Sequence, residues 1–282
     1  MTAPARLRRL LSEKKIIVAP GVYDGITARL TEQAGYTAAY MTGAGTSMAR
    51  GYPDFGLLTM NEMTENAGAI ARSISLPLIA DADTGYGNEL NVVRTVREYE
   101  MRGVAAIHIE DQVAPKRCGH LDGKEIVPLD EFTAKIRAAT TARRDPDFLI
   151  IARTDARAVT NFDDAIARAN AALEAGAGLA FVEAMQTKEE MAAVPKLVKG
   201  PCLLNIVPGG KTPQVTLAEA EAMGFRLAIL PGLLVTAVIK AADAALEALK
   251  AGDPEKAVPG ADLIADFQRF GTAEWNALRR AR

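Results

Sequence analysis

Asp81 and Asp83 stand two residues apart in "DADTGYG", directly after an apolar run. On an extended segment that spacing turns both carboxylates to one side, where they face a shared cation. Glu110, from "HIEDQ", and Asp54, from "GYPDFG", enlarge this into an oxygen-rich cluster. No pair of thiolates or imidazoles accompanies it, so the donor chemistry favours Mg²⁺, with Mn²⁺ as an alternative, over zinc. Carboxylates this crowded repel one another strongly unless a cation is present. Two structural readings compete: turn chemistry in "DADTG", with Asp accepting backbone hydrogen bonds, and pairing of Glu110 and Asp111 with a base such as Arg153.

The second chemical feature is "PKRCGH" at 115–120, which holds one of only two cysteines and one of only two histidines. Cys118 follows Lys116 and Arg117 and precedes His120, a field expected to stabilise the thiolate and lower the thiol pKa. Such a group exchanges a proton near neutral pH. Gly119 and Gly123 suggest a flexible loop able to close over a ligand; an incidental cysteine in a basic loop is the plainer reading. Cys202, in "PCLLNI", reads as a small buried hydrophobe in a strand. His108, inside an apolar strand, reads as a hydrogen-bonded scaffold residue rather than a base.

Lys+Arg 33 nearly balance Asp+Glu 35 over the 282 residues. That balance leaves no polybasic footprint for nucleic acid or anionic membrane. Partners are therefore expected to be small molecules or further copies of the chain. Two cysteines cannot build a disulfide framework, which fits a reducing cytoplasm. The basic start "MTAPARLRRLLSEKK" lacks the apolar core of a secretory signal and reads as an exposed helix. The run "LAILPGLLVTAVI" contains Pro231 and stops at Lys240, too short to span a bilayer.

The elements that must position these residues follow from periodicity. Eight apolar runs read as strands buried on both faces: "IIVAP", "TAAYMT", "PLIAD", "AAIHIE", "FLIIAR", "LAFVEA", "CLLNI" and "LAILP". Helical patterns lie between them, such as Leu90, Val93, Val96 and Tyr99, or Phe132 and Ile136. Alternation at roughly 25 to 35 residues per unit favours a closed α/β barrel, (β/α)8, over an open doubly wound sheet. The open sheet would need a G-x-G-x-x-G after the first strand, and "TGAGTS" follows the second and lacks the third glycine. The barrel is expected over 1–250. The glycines and prolines of "KAGDPEKAVPGAD" should then form a hinge at 250–262, separating a helix of about 232–250 from a final helix near 261–280.

In a parallel barrel the site is built at the carboxyl ends of the strands. The polar residues there are Thr42, Gly43 and Ala44; Asp81 and Asp83; His108, Glu110 and Asp111; Arg153 and Asp155; Glu183; and Asn205. Together with "KRCGH", "DADTGYG" and "HIEDQ" in this order, they resemble the isocitrate lyase and phosphoenolpyruvate mutase superfamily, over nearly the whole chain from "GVYDGITARL" to the eighth strand.

That resemblance implies a (β/α)8 barrel whose C-terminal helix, with the hinge at 251–282, is exchanged with a neighbouring subunit, commonly in a homotetramer built from dimers. It implies Mg²⁺ held by Asp81 and Asp83, directly or through water, with Asp54 and Glu110 in an outer shell. The substrate would be a small carboxylic acid with a 2-hydroxy or 2-oxo group, contacted by Thr42, Gly43, Ala44, Gly119, His120, Arg153, Glu183 and Asn205. Cys118 would be the general acid, Arg153 a charge stabiliser, and Tyr40 occupies the place of a tyrosine considered for the base. The reaction implied is cleavage of the C2–C3 bond of a 2-alkylmalate or 2-methylisocitrate; oxaloacetate hydrolysis or decarboxylation are the alternatives. Members acting on tricarboxylates resemble one another in an arginine after strand eight, where "LPGLLVT" places Thr236, and "NIVPGGKTP" looks like the dimethylmalate lyase, petal death protein and oxaloacetate acetylhydrolase branch. Both departures point to a four-carbon dicarboxylate backbone. The phosphonomutase branch typically lacks the loop cysteine, so Cys118 argues against phosphorus chemistry, and the retention of the whole set argues against a binding barrel without turnover.

Overall fold

The structure is a computed structural model that describes residues 1–13 and 15–280. Eight parallel strands close into a barrel in the order β1 to β8. They are β1 (Ile17–Val22), β2 (Ala39–Met41), β3 (Leu78–Asp81), β4 (Ala106–Glu110), β5 (Leu149–Thr154), β6 (Leu179–Val182), β7 (Cys202–Asn205) and β8 (Leu227–Leu230). Each falls on one of the eight apolar runs, with β1 running two residues past "IIVAP" and β5 one past "FLIIAR". Closure comes from β1 pairing with β8, Ile17 opposite Leu227.

The helices in the first half are α1 (Ala3–Ser12), α2 (Gly25–Gln33), α3 (Gly43–Ala49), α4 (Met60–Ser73), α5 (Glu89–Met101) and α6 (Leu129–Ala142). After β5 come α7 (Ala156–Val159), α8 (Phe162–Glu174), α9 (Lys188–Leu197), α10 (Leu217–Met223), α11 (Leu233–Lys250), α12 (Pro254–Ala257), α13 (Leu263–Arg269) and α14 (Thr272–Arg280). Starts follow cap chemistry: Asp24 with Thr27 and Thr59 with Glu62 form reciprocal capping boxes, and Asn88 accepts from Leu90 and Asn91. None of the described helices is long and apolar enough to cross a membrane.

Two faces of each strand are buried, for different reasons. Ile17, Ala19, Tyr40, Ile79, Ala106, Leu149, Ile151, Leu179, Phe181, Leu203, Leu227 and Ile229 fill the barrel interior. The alternate residues, such as Leu78, Ala80, Ile107, Ile109, Ile150 and Ala152, pack with helix residues including Ile70, Val96 and Phe132. A strand with no wet face reads as a continuous apolar run.

Three expectations are corrected. The N-terminal helix is not simply exposed: Leu7 is fully buried and packs with the interior strand residues, because Leu7, Leu10 and Leu11 form one stripe of α1. In α5 Leu90 is exposed, and the buried stripe is Val92, Thr95, Val96 and Tyr99. The final helix is two helices, since Gly271 takes a left-handed φ of 92° between α13 and α14. The chain divides into two compact units, Met1–Val235, which contains the barrel, and Thr236–Arg282. That division falls within α11, earlier than the boundary expected at 250, which is the last residue of this helix.

Candidate active site

The period of two that fills the interior also supplies the site. In β2 to β7, beyond the last apolar inward residue, the same stripe continues in polar residues: Thr42 after Tyr40, Asp81 after Ile79, His108 and Glu110 after Ala106, Arg153 and Asp155 after Ile151, Glu183 after Phe181, Asn205 after Leu203. All are buried. Parallel register sets neighbours side by side, His108 opposite Asp81 and Arg153 opposite Glu110.

The acidic cluster differs from the extended pair expected. β3 ends at Asp81, and Asp83 takes a left-handed φ of 46° in the following turn. The two stay coupled, since Asp83 N–H donates to Asp81 Oδ1 at 3.0 Å. Asp81 Oδ2 accepts from Gly43 N at 3.2 Å, and a Cβ on Gly43 would lie 2.4 Å from that oxygen, so only glycine brings the α3 start this close. Thr42 caps α3 through Gly45 N, and half-buried Ala44 follows Gly43.

Lys116 is the cation that sequence reading misplaced. Rather than flanking the thiol, its ammonium lies 2.5 Å from Asp54 and 3.0 Å from Asp83. Burial alone would lower the Lys116 pKa, but Asp83, Asp81, Asp54 and Glu110 outweigh it and raise it well above the lysine range. Burial opposes ionisation of Asp81, yet His108, then Lys116, hold it well below the usual carboxylate range. Asp83 is pushed up to about 6 by burial, against the pull of Lys116.

Tyr40 Oη lies 2.8 Å from His108 Nε2, which is 3.2 Å from Asp81 Oδ1. His108 is thus the bonded scaffold expected. Burial first, then Asp81, raise the Tyr40 phenol well above its ordinary range. It is held as a neutral hydroxyl here, and service as a base would require additional positive charge beside it.

Arg153 is the hub opposite. Its fork spans Asp155 at 2.9 and 3.1 Å, with Glu110 at 3.1 Å and Glu183 at 3.5 Å. The guanidinium also lies 5.2 Å from the Phe181 ring centre. Glu110 is therefore paired as the structural reading had it, but burial raises it well above its ordinary range. Asp111 belongs to the scaffold: it binds Thr154 Oγ1, Asp155 N and Arg168.

The 115–124 loop covers this site. Gly119 presses against it so closely that a Cβ would fall 2.5 Å from Arg153 Nη2 and 2.6 Å from Glu183 Cγ. Lys124, buried and not anticipated, donates to the Gly119 and Leu121 carbonyls and faces Asp155 at 3.9 Å. Arg117 lies over the Phe55 ring, at 5.9 Å from its centre. With Lys116 and Arg117 both engaged elsewhere, the expected lowering of the thiol pKa is overturned: burial pushes the Cys118 thiol up, with the His120 backbone N–H pulling the other way. A raised thiol pKa favours the protonated form, the form that a proton donor needs. Glu183 accepts from Ala184 N at 2.7 Å and Asn205 Nδ2 at 2.9 Å, leaving Asn205 Oδ1 buried without a donor.

The residues fit a hard cation. Asp83 Oδ1 and both Glu110 carboxylate oxygens are buried with no hydrogen-bond donor beyond their ion pairs with Lys116 and Arg153. Among the described residues no three His, Cys, Asp or Glu side chains converge on one point. That suits an ion held by one or two carboxylates and water, the habit of Mg²⁺, rather than an all-protein cage.

Of the residues expected from sequence, the structure gathers Tyr40, Thr42, Gly43, Asp81, Asp83, Asp54 and Glu110 on the acidic side, and Cys118, Gly119, His120, Arg153, Glu183 and Asn205 on the other. Asp155, also expected at the end of β5, lies among them beside Arg153, and Lys116 and Lys124 join them. Asp155 continues the inward stripe of β5 one step past Arg153; Lys116 carries no comparable signal, because Asp54 and Asp83 lie far away in sequence.

Fold and site together define a (β/α)8-barrel enzyme whose pocket is built for proton transfer and charge stabilisation. Residues 7–250 match the phosphoenolpyruvate phosphomutase family, and the chain belongs to it, within the PEP mutase/isocitrate lyase superfamily. It is 46% identical to 2,3-dimethylmalate lyase of Eubacterium barkeri over 96% of this chain and 93% of that one. To 2-methylisocitrate lyase of Aeropyrum pernix it is 44% identical, over 85% and 77%. The structure of oxaloacetate acetylhydrolase with 3,3-difluorooxalacetate superposes at a TM-score of 0.95, with 39% identity over 99% and 97% of the two chains. Members of this superfamily generally depend on a divalent metal.

Proposed function

We propose that this carbon–carbon lyase cleaves the C2–C3 bond of a substituted malate, a four-carbon dicarboxylate backbone carrying a 2-hydroxyl, with Mg²⁺ bound at Asp81 and Asp83 and Asp54 and Glu110 behind them. The observation that carries the reading is the packing of the Cys118 loop, at Gly119, against Arg153 and Glu183, over a pocket with a fixed guanidinium on one side and orphaned carboxylate oxygens on the other. The cation would supply Lewis-acid charge to the substrate's carboxylate and 2-oxygen. The 2-hydroxyl passes its proton to Tyr40, whose ionised form the cation's charge would stabilise, the C2–C3 bond breaks, and its electron pair remains on C3, delocalised into the adjacent carboxylate. Arg153 stabilises that charge, and Cys118 delivers its proton to C3. A 2-oxo acid and a second carboxylate result. Cys118 must stay a free thiol for this, which suits a reducing cytoplasm.

The identity to 2,3-dimethylmalate lyase supports an alkylated malate as substrate. Hydrolysis of oxaloacetate is the second reading, favoured by the likeness to oxaloacetate acetylhydrolase. A product assay over substituted malates, 2-methylisocitrate and oxaloacetate, with Mg²⁺, separates them: pyruvate or a related 2-oxo acid from an alkylmalate supports cleavage, whereas oxalate and acetate from oxaloacetate alone would replace it by hydrolysis.

Assembly into a homotetramer of helix-exchanged dimers is part of the same proposal. Apolar residues of the second unit, among them Leu246, Leu249, Ile264, Phe267 and Trp275, are more than half exposed and call for cover. Light scattering should return a tetramer; a monodisperse monomer would remove this part.

A further inference from the structure

We propose that the loop after β7 is a working part of the site: the Lys211 backbone N–H fixes His120 as its Nε2–H tautomer, and that N–H is the donor to an oxygen of the bound substrate. The inference rests on the lyase reading only for the identity of that acceptor.

The argument begins in the sequence "VPGG" at 207–210. Pro208 and Gly209 occupy the two central positions of a turn closed by Gly210 N–H donating to the Val207 carbonyl at 3.0 Å, and Gly209 takes a φ of 77°. Proline followed by a glycine at positive φ is the type II pattern. The turn delivers the next peptide against His120, where Lys211 N–H donates to His120 Nδ1 at 3.0 Å. An imidazole nitrogen that accepts a hydrogen bond carries no proton, so the neutral ring holds its proton on Nε2. Burial also favours the neutral ring.

Close approach is what the glycines permit. A Cβ on Gly210 would lie 2.7 Å from His120 Nδ1 and 2.8 Å from Cε1. Lys211 Nζ reaches Asp122 at 2.5 Å across the two loops, but Asp122 is 95% exposed, so this pair contributes little beside the backbone contact.

On the other edge of the ring, Nε2 is buried without a hydrogen-bond partner. Its nearest acceptor, Glu183 Oε1, is 3.7 Å away, beyond hydrogen-bonding distance, and already accepts from Ala184 N. A buried N–H aimed beside Glu183 and Arg153 and left unmet is costly unless a ligand completes it. His120 thus touches substrate, and Lys211 is a positioning residue acting through it.

Because the chain has only two histidines, ¹⁵N-histidine NMR reads the tautomer directly. His120→Gln assigns the signals by their loss. With Mg²⁺ and oxalate as the probe, wild type should show His120 protonated at Nε2 and bare at Nδ1. Gly210→Ala, which crowds the ring, and Lys211→Pro, which deletes the donor, should give mixed tautomers and lower kcat/KM by about ten- to a hundredfold. Should Lys211→Pro not fold, Gly210→Ala carries the test. In a His120→Gln background, which keeps a terminal donor without needing Nδ1, Lys211→Pro should cost nothing further. A wild-type ring protonated at Nδ1, or loop variants that keep the single tautomer, would overturn the proposal. The spectra need no turnover, so they stand apart from which substrate is cleaved.

Discussion

Replacing Cys118 by serine is expected to lower turnover by about a thousandfold, within the range for loss of a general acid, while binding of oxalate or pyruvate survives. A hydroxyl is a far weaker acid than a thiol, and its similar size leaves the loop packing in place. Burial already holds the Cys118 thiol above its ordinary range. The sign for pH follows: the acid must be protonated to act, so wild-type kcat should hold until the pH passes the ordinary thiol range and fall beyond it. The serine variant should lose that alkaline fall with the activity. Steady-state kinetics with oxalate as competitive inhibitor measures both; unchanged turnover in Cys118→Ser would remove the thiol from the chemistry.

Removing Arg153 should cost both stability and rate. Its fork and ion pairs engage Asp155, Glu110 and Glu183, all fully or almost fully buried. Arg153→Gln leaves these carboxylates facing one another, and breaking a buried pair costs about 3–5 kcal/mol. In a chain of this size that lowers Tm by roughly 5–8 °C. The loss of charge opposite the developing carbanion should lower kcat by a further factor of about 100 to 1,000. Arg153→Lys restores charge but cannot span Asp155 with two parallel bonds, so it should recover part of the stability and little of the rate. Calorimetry and kcat for the two variants check this; a Gln variant with wild-type kcat would show that Arg153 only holds the scaffold.

The legibility of the chain follows the same physics. All eight strands could be read because interior strands are apolar on both faces, so runs such as "FLIIAR" stand out without alternation. The strand-end residues Asp81, Glu110, Arg153, Glu183 and Asn205 could be read because the stripe changes from apolar to polar where the barrel opens. What a run cannot carry is the fate of a long side chain. Lys116 adjoins Cys118 in sequence but bridges Asp54 and Asp83, so the neighbouring charge that should have lowered the thiol pKa is spent elsewhere and desolvation decides the sign. Asp83 was placed on the correct side for an incomplete reason, since the strand stops before it and a left-handed turn, not extension, aims it. Leu7 shows a further limit: the basic start reads as an exposed helix, and that Leu7 packs against the barrel interior is a tertiary fact.

The central claim is that C2–C3 cleavage leaves a carbanion that the enzyme protonates. The most direct measurement is ¹H NMR of 2,3-dimethylmalate turned over with Mg²⁺ in D₂O. The account predicts pyruvate and propionate in equal amounts, the propionate carrying a single deuterium at C2, delivered from the exchanged Cys118 thiol. No cleavage of this or any other 2-alkylmalate, with oxaloacetate converted to oxalate and acetate under the same conditions, would contradict it.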